Sequence, residues 1–210
     1  MMRSETAPVK ERFQGENIEN LIVPDVFGAK LTDAIFQMTW IVTERHEQTN
    51  YRRAYDAICD QTKLMASIHV ECKNNPVLTN EIFFGLQYLM PHHLEAWIEY
   101  QGITFIPIQC TYTYGTFRVR DFGEHKFLVT QQLGNSLEYF FNRCGRHMEE
   151  VGTFQMALNM LYALEYIHSC GFVHNDIKPR NMLFGMEGRE RNQIYLSHFK
   201  YATEVGEMSK

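Results

Sequence analysis

The sequence predicts an α+β fold in two lobes, the first rich in β-structure and the second helical. Three observations lead there. Short β-like runs cluster between Trp40 and Val70 ("WIVTE", "ASIHVE") and return between Pro107 and Gln131. A long amphipathic helix is written over 152–171, "GTFQMALNMLYALEYIHSCG". Between the two regions lies "QQLG", 131–134, a short hinge where β-like text gives way to helical text. The expected organisation is a mobile tail over 1–17, a β-rich lobe over 18–132 and a helical lobe over 133–210.

Composition supports a folded chain. Of the 210 residues 45% are hydrophobic and 13% aromatic, enough for a core and too many for disorder. The net charge of −5 gives no sign of nucleic-acid binding or of attraction to an acidic membrane surface. Cys59, Cys72, Cys110, Cys144 and Cys170 are odd in number, scattered and never in a C-x-x-C pair, which argues against a disulfide framework or a zinc site. The polar start "MMRSETAPVKERFQGEN" has no apolar signal segment, and no run approaches the roughly eighteen apolar residues of a membrane span. A cytoplasmic or nuclear protein is expected.

The elements follow in order. "LTNEIFFGLQYLM" (78–90) reads as a helix with Ile82, Leu86 and Leu89 at helical spacing, stopped by Pro91. "HHLEAWIEY" (92–100) reads as a second, with Leu94, Trp97 and Ile98 on one side and Gly102 at its end. Strands are expected at Pro107–Tyr114, Thr116–Arg120 and Lys126–Gln131, separated by turns at Gly115 and at Asp121-Phe122-Gly123. "NSLEYFFNRCG" (135–145) is a further helix. In the long helix Ala157, Met160, Leu161, Leu164 and Ile167 form the apolar stripe, with Gly171 just past the end. Two short strands, "NMLF" and "QIYLS", close the pattern.

Between the long helix and those strands stands "HNDIKPRNML", 174–183. His174, Asp176, Lys178 and Asn181 follow H-x-D-x-K-x-x-N, a spacing that chance would produce on the order of once in a thousand such sequences. The segment resembles the catalytic loop of protein kinases. "QLGNSLEYFFNRCGR" and "LEYIHSCGFVHNDIKPRNMLFG" are similar to casein kinase I, whereas "HHLEAWIEY" and "LTDAIFQMTW" are more similar to the vaccinia-related kinases. The resemblance runs from about Leu31 to Val205. It implies a protein-kinase-like fold with a β-rich N-lobe and a helical C-lobe. It also implies that Asp176 orients and deprotonates a substrate hydroxyl, that Lys178 sits beside the transferred phosphate and that Asn181 holds magnesium. Glu81 falls where the family keeps a glutamate bracing a phosphate-binding lysine, and Thr130, Gln131 and Leu133 fall along an adenine pocket.

The chain departs from that family in four places. The D-F-G position reads His198-Phe199-Lys200, and an imidazole is a poor ligand for magnesium, a hard ion that favours oxygen. The family's V-K-V-E aligns with Ile68-His69-Val70-Glu71, so the phosphate lysine is His69. The glycine-rich loop aligns with "HEQTNYRRA" (46–54), which has no glycine to let backbone amides approach phosphates. Here Arg52 or Arg53 is long enough to reach a phosphate, with nothing in the sequence to place it there. Lys210 follows Lys200 by ten residues, so an incomplete C-lobe is expected, with part of the long helix's stripe facing solvent or a partner.

Two functions follow. The first is a pseudokinase acting by protein binding, on an active related kinase or that kinase's substrates, with no cofactor, no nucleic acid and no membrane. The second is a serine/threonine kinase with residual activity, using Asp176 as base with ATP and magnesium. Plainer readings stand beside individual residues. Asp176, Lys178 and Asn181 could be a retained loop that only holds backbone turns, and His174 a packed structural residue. Glu81 could be solvated or paired with Lys63, and His69 with His198 could suggest a metal site.

Overall fold

The computed structural model describes residues 23–48, 52–186 and 191–206. The expected tail over 1–17 lies outside them, as do residues 49–51 of the segment aligned with the glycine-rich loop.

One antiparallel six-stranded sheet builds the first lobe, in the order β1-β2-β3-β4-β6-β5. Its strands are β1 (Lys30–Thr32), β2 (Thr39–Gln48), β3 (Arg52–Cys59), β4 (Met65–Cys72), β5 (Thr111–Val119) and β6 (Gly123–Gln131). Strand β4 shows how the pleat sorts side chains. Ala66, Ile68, Val70 and Cys72 enter a core with Trp40, Val42, Tyr55, Ala57, Phe127 and Val129. The alternate residues Ser67 and His69 line the cleft between the lobes, and Glu71 accepts a hydrogen bond from the Leu78 amide, 3.0 Å away, at the start of the first helix. A one-residue slip would exchange these faces.

That helix, α1 (Pro76–Tyr88), begins two residues earlier than its periodicity suggests. Asn75 caps it by accepting from the Val77 amide, and Pro76 suits a first turn that needs no N–H. Pro91 likewise opens α2 (Pro91–Gln101), which Gly102 closes at φ 65°.

The strand expectations need one correction. Gly115 is not a turn: it lies inside the single strand β5. A Cβ at this position would come within 2.4 Å of the Phe127 ring on β6 and 3.0 Å of the Thr32 carbonyl, so close packing, not chain reversal, demands glycine. The reversal is at Asp121-Phe122-Gly123, with Asp121 at φ 71° and Gly123 at φ 78°, where the β5–β6 hairpin turns.

The second lobe holds α3 (Leu137–Arg143), α4 (Glu150–Ser169), β7 (Phe172–Val173), β8 (Met182–Phe184), β9 (Ile194–Leu196) and β10 (Thr203–Glu204). Strands β8 and β9 form one antiparallel pair, β7 and β10 another. Helix α4 is rotated from the expected stripe. It buries Asn159, Met160, Ala163, Tyr166 and Ile167, while Ala157 and Leu161 are exposed and Leu164 is half-buried. The reason is tertiary: α4 packs on β7 and β9, and contact with those strands selects a face that sequence periodicity alone leaves ambiguous. Phe84 and Leu89 with α2's Leu94 join this lower core rather than the sheet core.

Candidate functional site

The 174–181 loop is held by bonds within and across its own turns. His174 is almost fully buried; its Nε2 lies 3.1 Å from the Ser197 carbonyl, and its Nδ1 accepts from the Asp176 amide at 3.2 Å. Both ring nitrogens are therefore committed to backbone, as befits a packed structural residue. Asn175, at φ 62°, donates through Nδ2 to the Tyr201 carbonyl and the Thr203 hydroxyl. Asn181 is buried, and its Nδ2 donates to the Asp176 carbonyl at 2.7 Å and to Asp176 Oδ2 at 2.8 Å. Lys178 Nζ meets Asp176 Oδ1 at 2.8 Å. Asp176, Lys178 and Asn181 thus form one cluster. Burial alone would raise the Asp176 carboxyl, but the bonds from Lys178 and Asn181 outweigh it and hold the group below the ordinary range.

Across the cleft the pairing differs from expectation. Glu81 is buried and is neither solvated nor paired with Lys63; its Oε2 lies 3.0 Å from Arg52 Nη2. Lys63 instead bonds Asp60. The cation facing Glu81 therefore comes from the start of β3, one strand away from His69, the position aligned with the family's lysine. Arg52 is beside β4 because it registers opposite Glu71. No spacing within the sequence reveals this contact; only the β3–β4 register does.

His69 and His198 meet edge to face, ring centroids 6.0 Å apart, with His198 at φ 65°. Burial drives the His69 imidazolium well below its usual range, and the nearby charges of Arg52, His198 and His46 push the same way. Its Nδ1 is buried with no hydrogen-bond partner. Among the described residues no group of three or more His, Cys, Asp or Glu side chains is gathered as a metal site would require.

At the hinge, Leu133 lines a cavity of ≈ 340 Å³ together with Gln109, Ala54, Ser67, Leu183 and His69. Thr130 and Gln131, expected there, do not line it. Gln109 Nε2 donates to the Thr130 hydroxyl at 3.2 Å and to the Gln131 carbonyl at 2.8 Å. The unforeseen Gln109 thus ties up both residues from the side. On the opposite wall His46 Nε2 sits 2.8 Å from Asp56 Oδ2, a pair that β2–β3 pairing creates and sequence reading missed.

The site fits phosphate better than magnesium. A magnesium ion wants several oxygens, and the residues here offer Asp176, already bonded by Lys178 and Asn181, and the Asn181 amide. His198 stands where a second carboxylate would complete the set. An adjoining cavity of ≈ 300 Å³ is lined by Arg52, His69, Lys178, Arg180, Asn181, His198 and Lys200, with no carboxylate among the described residues of its wall.

Burial of neutral His69 and His174 has a consequence for stability. Both imidazoles titrate lower in the folded chain than in the unfolded one, so the unfolded chain binds more protons as pH falls below about 6.5. Stability is full above that value and is lost as pH falls through the interval below it. The melting midpoint is expected to drop steadily from about pH 7 to about pH 5, and a flat profile there would contradict the buried neutral state.

Residues 109–210 match the protein kinase domain family. Over 139 residues the chain is 29% identical to nucleosomal histone kinase 1 of Drosophila melanogaster, covering 66% of this chain and 23% of that protein. The fold superposes on the structure of vaccinia related kinase 3 with a TM-score of 0.74 at 22% identity, covering 90% of this chain and 56% of the other. The chain thus spans about a quarter of the length of that curated relative and little more than half of the solved structure.

Proposed function

We propose that this chain, similar to the protein kinase domain and to nucleosomal histone kinase 1, is a pseudokinase of the vaccinia-related kinase and casein kinase I group that acts by binding other proteins. The observation that carries the reading is His198. It occupies the magnesium-carboxylate position, and its ring lies against His69, which occupies the phosphate-lysine position. Two charges of opposite sign that phosphoryl transfer uses together are thereby exchanged for two imidazoles. A charge contact near 4 Å at an effective dielectric of 20 is on the order of 4 kcal/mol, and each factor of ten in rate takes about 1.4 kcal/mol. Losing either contact therefore lowers transfer by orders of magnitude.

The partner we favour is an active related kinase or one of its substrates, met in the cytoplasm or nucleus. The relative's name points to histone as a substrate class to include. The free cysteines Cys59, Cys72, Cys110, Cys144 and Cys170 suit such a reducing compartment. The test is incorporation of labelled phosphate from ATP into casein and histone, with magnesium or manganese, for the chain and for Asp176→Ala. Equal incorporation by the two is expected. A wild-type signal more than about tenfold above the variant, roughly 1.4 kcal/mol of transition-state stabilisation, would establish the residual-kinase reading instead.

A further inference from the structure

We propose that a groove on the β-rich lobe, apart from the cleft, is a docking site for a tyrosine side chain carried on a basic segment of a partner protein. The groove, ≈ 650 Å³, lies between the 33–38 loop that joins β1 to β2, the 60–64 turn that joins β3 to β4, and the starts of α2 and β5. It shares no lining residue with either cleft cavity. Phe36, Met38, Leu64, Met90 and Tyr112 give it an apolar wall.

The exposure of this wall is built into the fold. Ile35, Phe36, Leu64 and Met65 are 42%, 54%, 42% and 51% exposed, apolar surface of the kind that marks an interaction site. The loop that presents the first two is fixed from inside. Asp33 is 1% exposed; its Oδ1 accepts from the Ile35 and Phe36 amides at 3.0 and 2.7 Å. Its Oδ2 accepts from the Met38 amide at 3.2 Å and from the Trp40 indole at 3.1 Å. The Ala34 amide donates to the Tyr114 carbonyl on β5, and the Thr39 amide donates to Gln61 in the facing turn. A loop held in this way meets a partner at little entropic cost.

Two features of the groove specify what fills it. The β5–β6 register shifts between Thr111 and Thr113, and at this irregularity both Tyr112 and Thr113 line the groove. Neighbours on a regular strand would face opposite sides. Thr113 is fully buried, and its Oγ1 has no hydrogen-bond partner. An unbonded buried hydroxyl is unfavourable, and a polar atom at the tip of an inserted side chain relieves it. At the rim Lys63 is bonded to Asp60, whereas the exposed Glu95 of α2 has no ion pair among the described residues. A flat ring with a hydroxyl at its tip answers the apolar wall and Thr113, and a neighbouring lysine or arginine answers Glu95. The inference deepens the protein-binding reading above and rests on it. The two fail separately: phosphate transfer by the chain would overturn the pseudokinase reading and leave the docking site standing.

The test is selection of a phage-displayed library of random short peptides on the full chain, followed by calorimetric affinities of the enriched peptides. Enrichment of tyrosine beside lysine or arginine is expected. Replacing that tyrosine with phenylalanine should weaken binding about fivefold on the wild-type chain and leave it unchanged on Thr113→Val, which lacks the hydroxyl. Leu64→Glu should weaken the tyrosine peptide at least about tenfold, and Glu95→Lys about threefold. Leu64 and Glu95 are exposed, so both variants should keep the fold, which a cooperative melt checks. No such enrichment, affinity unchanged by Leu64→Glu or Glu95→Lys, or equal binding of the tyrosine and phenylalanine peptides to the wild-type chain would each overturn the proposal. So would either rival occupant: a dimer that Leu64→Glu dissolves, seen by sedimentation, or displacement of the selected peptide by one spanning residues 1–22.

Discussion

Phe84→Ala is expected to destabilise the chain by about 3–5 kcal/mol, lowering the melting midpoint by about 10 °C. Phe84 is 1% exposed, and its ring lies 5.3 Å from Tyr88, 4.9 Å from Phe172 and 5.2 Å from Phe199, centroid to centroid. Those partners come from α1 itself, from β7 before the 174–181 loop, and from the segment after β9. Removing the ring opens a cavity where three elements meet, and none can close it without moving the others. His174 also packs edge-on against Phe199, at 4.9 Å, so the loss should loosen the site as well as the fold. Denaturant unfolding measures the first effect. Backbone hydrogen exchange at 174–181 measures the second, and unchanged protection there would show the loop to be held independently.

The next largest effect is expected at the cross-cleft pair. Arg52→Met leaves Glu81 as a buried carboxylate without that guanidinium and should cost about 3 kcal/mol. Replacing both, Arg52→Met with Glu81→Leu, should recover most of the loss, because a buried ion pair contributes little beyond an apolar pair of similar size. The double-mutant cycle gives the coupling directly. Additive single effects would mean that Arg52 and Glu81 act through other neighbours, not through each other.

Part of the site was legible along the chain and part was not. Asp176, Lys178 and Asn181 share one turn and a short 3₁₀ segment, so their spacing already places them together. The substitutions at His69 and His198 could likewise be read by position. Arg52 could not, since its contact with Glu81 spans 29 residues and depends on β3 lying in register with β4. Gln109, which lines the hinge cavity and donates to Thr130 and Gln131, precedes β5 with no motif to mark it. Gly115 was misread for the opposite reason: glycine signals a turn locally, but here it answers to a ring on the neighbouring strand.

By itself the sequence determined the two-lobed α+β plan, the order of the four helices, and the loop that carries the retained cluster. Those features follow from period, capping and turn chemistry, all of which act within a few residues. Only the tertiary structure decided which face of α4 is buried, which cation meets Glu81, and that the cleft wall gathers four cations from three separate segments. Such features depend on strand register and on helix rotation against a sheet, where contacts between residues far apart in the chain outweigh local preference.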